Sequence, residues 1–333
     1  MGSSKRKIKN MKKAFITGIT GQDGAYLSKL LLEKGYKVYG LLRRTVNRSL
    51  INLEYLGIAD KVDYIDGDMT DEASLIKAIK DIQPDEVYNL AAQSFVGSSW
   101  IQATTTIEIN ALGTLKLLNA IKSNCPTARF YQASSSEMFG NNSNDGIQNE
   151  LTPFKPRSPY GISKVTAHML TVNYRESYGL FACCGILFNH ESPIRGLEFV
   201  TRKITHGIAR IKLGLADNIE LGNLDAERDW GFAGDYVKAM WLMLQQDKPE
   251  DYIICTGKSN SIRNLLNEAF KTVGITDWAK YIKTNPAFMR PAELNKLEGD
   301  NSKAKKELGW EPKLNFKDLV ELMVKEDLIR HTK

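Results

Sequence analysis

Tyr160 and Lys164 stand four residues apart just after Ser158-Pro159, at an expected helix start, so that both fall on one helical face. An ammonium beside a phenol favours the phenolate. At roughly 4 Å and an effective dielectric of about 20, the attraction is about 4 kcal/mol before desolvation. A tyrosine of ordinary pKa about 10 would then fall toward neutrality and serve as a base. A lone Tyr-x-x-x-Lys is more often a surface pair, so the neighbours must decide. Upstream, the run Tyr131-Gln132-Ala133-Ser134-Ser135-Ser136-Glu137 supplies hydroxyls and a carboxylate. Ala128–Ala133 reads as a short strand, which puts the serines and Glu137 at its C-terminal tip, where open α/β sheets bind ligands.

The elements that must position these residues follow the pattern of such a sheet. Lys13–Thr17 reads as a strand, Gly18-Ile19-Thr20-Gly21-Gln22-Asp23-Gly24 as a glycine turn, and the apolar period from Tyr26 to Leu32 as a helix stopping at Gly35. Strand, glycine turn and helix in that order let the backbone approach a pyrophosphate at a helix N-terminus. The next strand, Lys37–Leu42, ends in Arg43-Arg44, where an acidic residue would otherwise meet ribose hydroxyls. Two guanidiniums favour a 2′-phosphate, so the cofactor is read as NADP, the alternative being two solvated arginines. Further strands are expected at Val62–Ile65, before Asp68 and Met69, and at Asp85–Ala92, ending in Ala91-Ala92-Gln93-Ser94. Helices are expected at Ser74–Ile82 and Thr105–Ser123, and a sixth strand at Phe181–Phe188.

This alternation predicts an α/β fold, a Rossmann-type doubly wound parallel sheet with a smaller, mixed α/β C-terminal substrate domain. Residues 11–188 with 228–258 are expected to form the cofactor domain, and 189–227 with 259–333 the substrate domain. Past Asn189-His190-Glu191, arginines such as Arg195, Arg202, Arg228 and Arg290 recur among shorter elements, as expected for a grip on an anionic ligand. His190 reads as a hydrogen-bonding residue, since no His or Cys stands at ligand spacing; no metal is expected.

The chain has 333 residues, 42% of them hydrophobic, enough for a large core. Its net charge of +6 owes much to Lys5, Arg6, Lys7 and Lys9 in an expected disordered tail, residues 1–10, so no nucleic-acid face is implied. Cys125, Cys183, Cys184 and Cys255 read as buried reduced thiols, which suits the cytoplasm. No apolar run is long enough to span a membrane.

The glycine turn, the Ser135-x-Glu137 tip and Tyr160-x-x-x-Lys164 together resemble the extended short-chain dehydrogenase/reductases. From Met11 to His331 the chain resembles the GDP-mannose 4,6-dehydratases more closely, through Gln83-Pro84-Asp85-Glu86-Val87-Tyr88-Asn89-Leu90, Pro156-Arg157-Ser158-Pro159-Tyr160, Gly185-Ile186-Leu187-Phe188-Asn189-His190-Glu191-Ser192-Pro193, Arg228-Asp229-Trp230-Gly231 and Arg290-Pro291-Ala292-Glu293. The resemblance implies a redox-neutral lyase. Tyr160, with Lys164, would take the sugar 4-hydroxyl proton as hydride passes to NADP; Glu137 would remove H5, Ser135 would help water leave C6, and the hydride would return to C6. Gly18, Thr20, Gly21, Gln22, Asp23, Gly24, Arg43, Asp68, Met69, Leu90, Ala92, Gln93, Ser94, Thr105, His190 and Arg195 would line the cofactor. Ser94, Asn189, Val200, Lys203, Arg228, Arg290 and Glu293 would face the GDP-sugar. A homo-oligomer, tetramer or dimer, is implied.

Three departures stand out. Ser135 replaces a common Thr, Met169 a common Trp, and Thr45-Val46 follow Arg43-Arg44 where the family commonly has two serines. The first two raise the alternative that GDP-D-glycero-D-manno-heptose is the substrate, admitted by extra room near C6. Another alternative is a 4-epimerase or reductase on the same fold, against which Glu137 counts.

Overall fold

The structure is a computed structural model that describes residues 11–46, 49–141, 146–289, 291–292 and 294–332. The expected tail, residues 1–10, therefore lies outside the described residues, as do Arg290 and Glu293.

Fourteen strands are described. The first five are β1 (Lys13–Thr17), β2 (Lys37–Leu42), β3 (Asp63–Asp66), β4 (Glu86–Asn89) and β5 (Arg129–Ser135). Then come β6 (Ile147–Gln148), β7 (Ala182–Leu187), β8 (Asn189–Glu191), β9 (Ile219–Leu221), β10 (Glu227–Phe232), β11 (Tyr252–Ile254), β12 (Ser259–Ser261), β13 (Ile282–Thr284) and β14 (Lys296–Gly299). The helices are α1 (Gln22–Glu33), α2 (Ile51–Tyr55), α3 (Glu72–Ile82), α4 (Ala103–Ile107), α5 (Gly113–Asn124), α6 (Pro159–Tyr178), α7 (Val200–Lys212), α8 (Ala233–Met243), α9 (Ile262–Thr272), α10 (Ser302–Leu308) and α11 (Phe316–Thr332).

Seven strands pair in the order β11-β7-β5-β4-β1-β2-β3, every pair parallel. The order reverses between β1 and β4, the switch point beside which such sheets bind ligands. Alternation along the strands divides the core. Phe15, Val87, Phe130 and Ala182 pack on one face with Leu75, Ile79, Leu117 and Ile121 of α3 and α5. Ile16, Tyr88, Tyr131 and Cys183 pack on the other with Leu27, Leu31, Val237 and Met240 of α1 and α8. A smaller sheet joins β12, β10, β14 and β6, with β8 on β10. Its helices α7, α9 and α11 enclose Ile204, Ile208, Leu266, Phe270 and Val324 around Trp230.

Two expectations are corrected. The fourth strand ends at Asn89 rather than Ala92, because Leu90–Ser94 turn out of the sheet. Residues 228–232, expected with the cofactor domain, belong to β10 of the smaller sheet, whereas β11 completes the larger one.

Candidate functional site

A cavity of about 710 Å³ opens at the C-terminal ends of β4 and β5. Ser135, Glu137, Tyr160 and Lys164 all line it, together with Asp23, Leu90, Ala92, Ser94, Asn189, His190, Arg195, Val200, Lys203 and Arg228. Residues far apart in sequence thus meet at one place.

Helix α6 starts as its sequence dictates. Ser158 caps it by accepting from Gly161 N–H at 3.0 Å, Pro159 opens the first turn, and Gly179 closes the helix in the left-handed region at φ 68°. Tyr160 and Lys164 are both buried. Lys164 Nζ donates to the Ala133 carbonyl at 2.8 Å and sits 5.8 Å from the Tyr160 ring centroid. The expected lowering of the phenol is overturned: burial pushes the Tyr160 pKa up to about 12, against which a Ser135 hydrogen bond works and to which Glu137 adds. Burial also brings Lys164 down to about 8, so the ammonium is itself weakened as a partner.

One positioning residue escaped the sequence reading. Between α4 and α5 the helix widens into a π-turn, Glu108–Leu112, which swings Asn110 inward. Its Oδ1 accepts from Gln93 N–H at 2.8 Å and its Nδ2 donates to the Gln93 carbonyl at 3.1 Å and to Ser163 Oγ at 2.9 Å. Ser163 in turn donates to the Tyr160 carbonyl at 2.7 Å. A polar Asn among Ile107, Ile109, Ala111 and Leu112 was the available signal.

The glycine turn is shaped for close approach. Gly18 has φ 71°, and a Cβ there would stand 2.7 Å from Ala91 N; a Cβ on Gly24 would stand 2.4 Å from Gly18 O. Helix α1 begins at Gly21 without any side-chain cap, so its first N–H groups fit an anionic pyrophosphate. Gln22 serves as a brace, donating to the His190 carbonyl at 3.0 Å and accepting from Ser192 Oγ at 2.7 Å. His190 Nε2 lies 2.8 Å from Asp23 Oδ2 and Nδ1 lies 2.7 Å from the Phe188 carbonyl. Burial alone would lower the imidazole, but the Asp23 carboxylate outweighs it and holds His190 above its ordinary pKa. Burial alone would raise Asp23, and His190 and Arg195 hold it below.

The remaining expected positions divide. Arg43 is exposed just beyond β2. Asp68 accepts from Thr70 N–H and Oγ1 at 2.8 Å, and Met69 packs against Gly113. Thr20 lends its carbonyl to Asn52 Nδ2 at 2.9 Å. Thr105 is exposed and does not line the cavity; its neighbour Thr106 is the buried one. Arg228 donates to the Leu294 and Glu227 carbonyls at 2.8 Å, Arg195 Nε lies 3.1 Å from Glu191 Oε2, and Lys203 Nζ lies 3.3 Å over the Phe288 ring. Met169 is 52% exposed and outside the cavity lining, which removes half of the enlarged-pocket expectation. Away from the cavity mouth, His168, Cys184 and Asp251 come together, but Arg175 holds both Asp251 oxygens at 2.8 Å, which disfavours a cation there.

A parallel sheet of this order, with a glycine turn, a tyrosine–lysine helix and a serine–glutamate strand tip around one cavity, defines an extended short-chain dehydrogenase/reductase. The family model described as GDP-mannose 4,6 dehydratase matches residues 15–323. The chain is 51% identical to GDP-mannose 4,6 dehydratase 1 of Arabidopsis thaliana, over 96% of this chain and 91% of that protein. Among solved structures it is similar to a UDP-glucose 4-epimerase of Thermotoga maritima, with TM-score 0.84 and 25% identity over 96% of this chain and 99% of the other. It is also similar to RMD from Pseudomonas aeruginosa complexed with NADPH, with TM-score 0.78 and 25% identity over 96% and 98% of the two chains. The chain belongs to the GDP-mannose 4,6-dehydratase family.

Proposed function

We propose that this protein is a lyase that converts GDP-D-mannose to the GDP-4-keto-6-deoxy sugar and water. The observation that carries the reading is Glu137 beside Ser135 at the β5 tip, in one cavity with Tyr160 and Lys164. A nicotinamide bound there supplies hydride acceptance and return. Tyr160 exchanges a proton with the sugar 4-hydroxyl, and Lys164 orients the ribose side of the site. Glu137 takes the proton next to the new carbonyl, a task Tyr160 cannot share because it is engaged at C4. Ser135 directs its hydroxyl to the leaving oxygen.

The cofactor is NADP, a reading supported by Arg43 just beyond β2. Equal affinities for NAD and NADP would overturn it. The larger sheet serves the cofactor and the smaller one the GDP-sugar, whose diphosphate meets Arg228 and Lys203. A homo-oligomer, dimer or tetramer, is supported by Leu112, Ile162 and Met169, which are 46%, 48% and 52% exposed on packed neighbouring helical segments. A cytoplasmic location accords with four free, buried cysteines and with the lack, among the described residues, of a helix long and apolar enough to cross a membrane. The heptose reading loses Met169, and the Arabidopsis relative at 51% identity is named for GDP-mannose. The epimerase reading is outweighed by Glu137 and by higher identity to the dehydratases.

Incubation with GDP-mannose and NADP, with products weighed by mass spectrometry, tests the reading: loss of one water is expected, and an unchanged mass would refute it. Glu137→Gln should oxidise C4 in a single turnover, let reduced cofactor accumulate, and stop. Smooth product formation by that variant would remove Glu137 from the elimination.

A further inference from the structure

His168 stands four residues beyond Lys164, so Tyr160, Lys164 and His168 follow one another along the same buried face of α6. The lysine and the histidine reach adjacent residues of the β5 tip. Lys164 Nζ donates to the Ala133 carbonyl at 2.8 Å, and His168 Nδ1 lies 3.0 Å from Ser134 Oγ. Ser134 is 3% exposed and lines the cavity, directly before Ser135.

The ring is held from behind. Phe154 meets it edge-on, with centroids 5.1 Å apart at 77°, and its Nε2 lies 3.9 Å from Asp251 Oδ2. Asp251 is fixed by both Arg175 nitrogens and by the Cys184 N–H, each at 2.8 Å. A carboxylate on the Nε2 side favours the tautomer with its hydrogen there, which leaves Nδ1 to accept from Ser134. The Ser134 hydroxyl hydrogen is thereby turned away from the reacting centre. Any buried imidazole needs partners for its nitrogens; here one of them is Ser134, the residue directly before Ser135 at the β5 tip.

We propose that His168 is a positioning residue of the reaction: through Ser134 it locks the β5 tip to α6, so that Ser135 and Glu137 stand in fixed register with Tyr160 and Lys164. The inference rests on the dehydratase reading for its kinetic consequence only. A displacement of about 1 Å in such a constellation costs up to about a hundredfold in rate.

The test compares His168→Leu, His168→Asn and His168→Gln, because the Asn amide falls near Nδ1 and the Gln amide near Nε2. His168→Leu should lower kcat on GDP-mannose about tenfold or more, with KM and NADPH affinity changed less than about threefold. Amide hydrogen exchange across residues 133–138 should accelerate while the α7–α11 region keeps its protection. His168→Asn should recover both readouts better than His168→Gln. Ser134→Ala removes the other end of the same bond and should reproduce the leucine variant, which covers the case in which that variant fails to fold. A kcat within about twofold of the parent for Ser134→Ala and His168→Leu, or equal recovery by Asn and Gln, would overturn the proposal. The exchange readout needs no substrate, so a parent protein inactive on GDP-mannose would defeat the functional reading while the positioning is still decided.

Discussion

Tyr160 carries the first prediction at the scale of single residues. Tyr160→Phe removes one hydroxyl that only the chemistry uses, and turnover should fall about 10²- to 10⁴-fold with NADPH affinity and thermal stability retained. A near-parental rate would take Tyr160 out of the mechanism. Lys164 supplies a test with a definite sign. Burial lowers its pKa from 10.5 to about 8, so between those values the unfolded chain binds the extra proton and stability rises with pH. Urea unfolding should find the parent protein gaining stability relative to Lys164→Met from about pH 8 toward 10.5, and a loss across that window would contradict the burial account. The pairing of these two residues was legible from a four-residue interval. Their proton affinities were not, because burial is set by β5, α6 and the chain past Asn189 closing over them. Asn110 and His168 were missed for a related reason: their partners Ser163 and Ser134 lie 53 and 34 residues away.

Secondary-structure elements were most legible where local chemistry fixes them. The glycine turn, the Ser158-Pro159 helix start and the β1 and β2 runs needed no tertiary information. The end of β4 needed it, since the residues after Asn89 leave the sheet to line the cavity. The π-turn needed it as well, because its widening is expressed through Asn110 and its contacts with Gln93 and Ser163. At this scale Gly24→Ala is the informative change. Its Cβ would lie 2.4 Å from Gly18 O and 2.5 Å from Ile19 Cα, both backbone atoms, so α1 must move off the turn. Overpacking of this kind costs about 1–3 kcal/mol, and with backbone atoms on both sides the cost falls in the upper part of that range, above the roughly 1 kcal/mol that alanine adds to a helix. Calorimetry should find a lower Tm, and fluorescence titration a weaker NADPH complex; a variant as stable as the parent with unchanged NADPH affinity would contradict the packing.

The whole molecule depends on contacts between elements that no local pattern announces. The pairing of β10 with β12 and β14 joins residues from 227 to 297, and it puts residues 228–232, expected with the cofactor domain, in the smaller sheet. The terminal helix is tied in by Asp327, fully buried, which accepts from Arg202 at 2.5 Å and from Thr205 at 2.8 Å and pairs with Arg330 at 3.0 Å. Asp327→Ala would leave the Arg202 guanidinium buried beside α11 without its carboxylate. Breaking such a pair typically costs about 3–5 kcal/mol, and denaturant unfolding should read that loss. A change below about 1 kcal/mol would mean that α11 is held by its apolar face alone. The central claim, that one cavity oxidises C4, expels water across C5 and C6 and returns the same hydride, is tested most directly with GDP-mannose carrying deuterium at C4. The account predicts a product lighter by one water with the deuterium at C6. Deuterium lost to solvent, or a C4 epimer of unchanged mass, would contradict it.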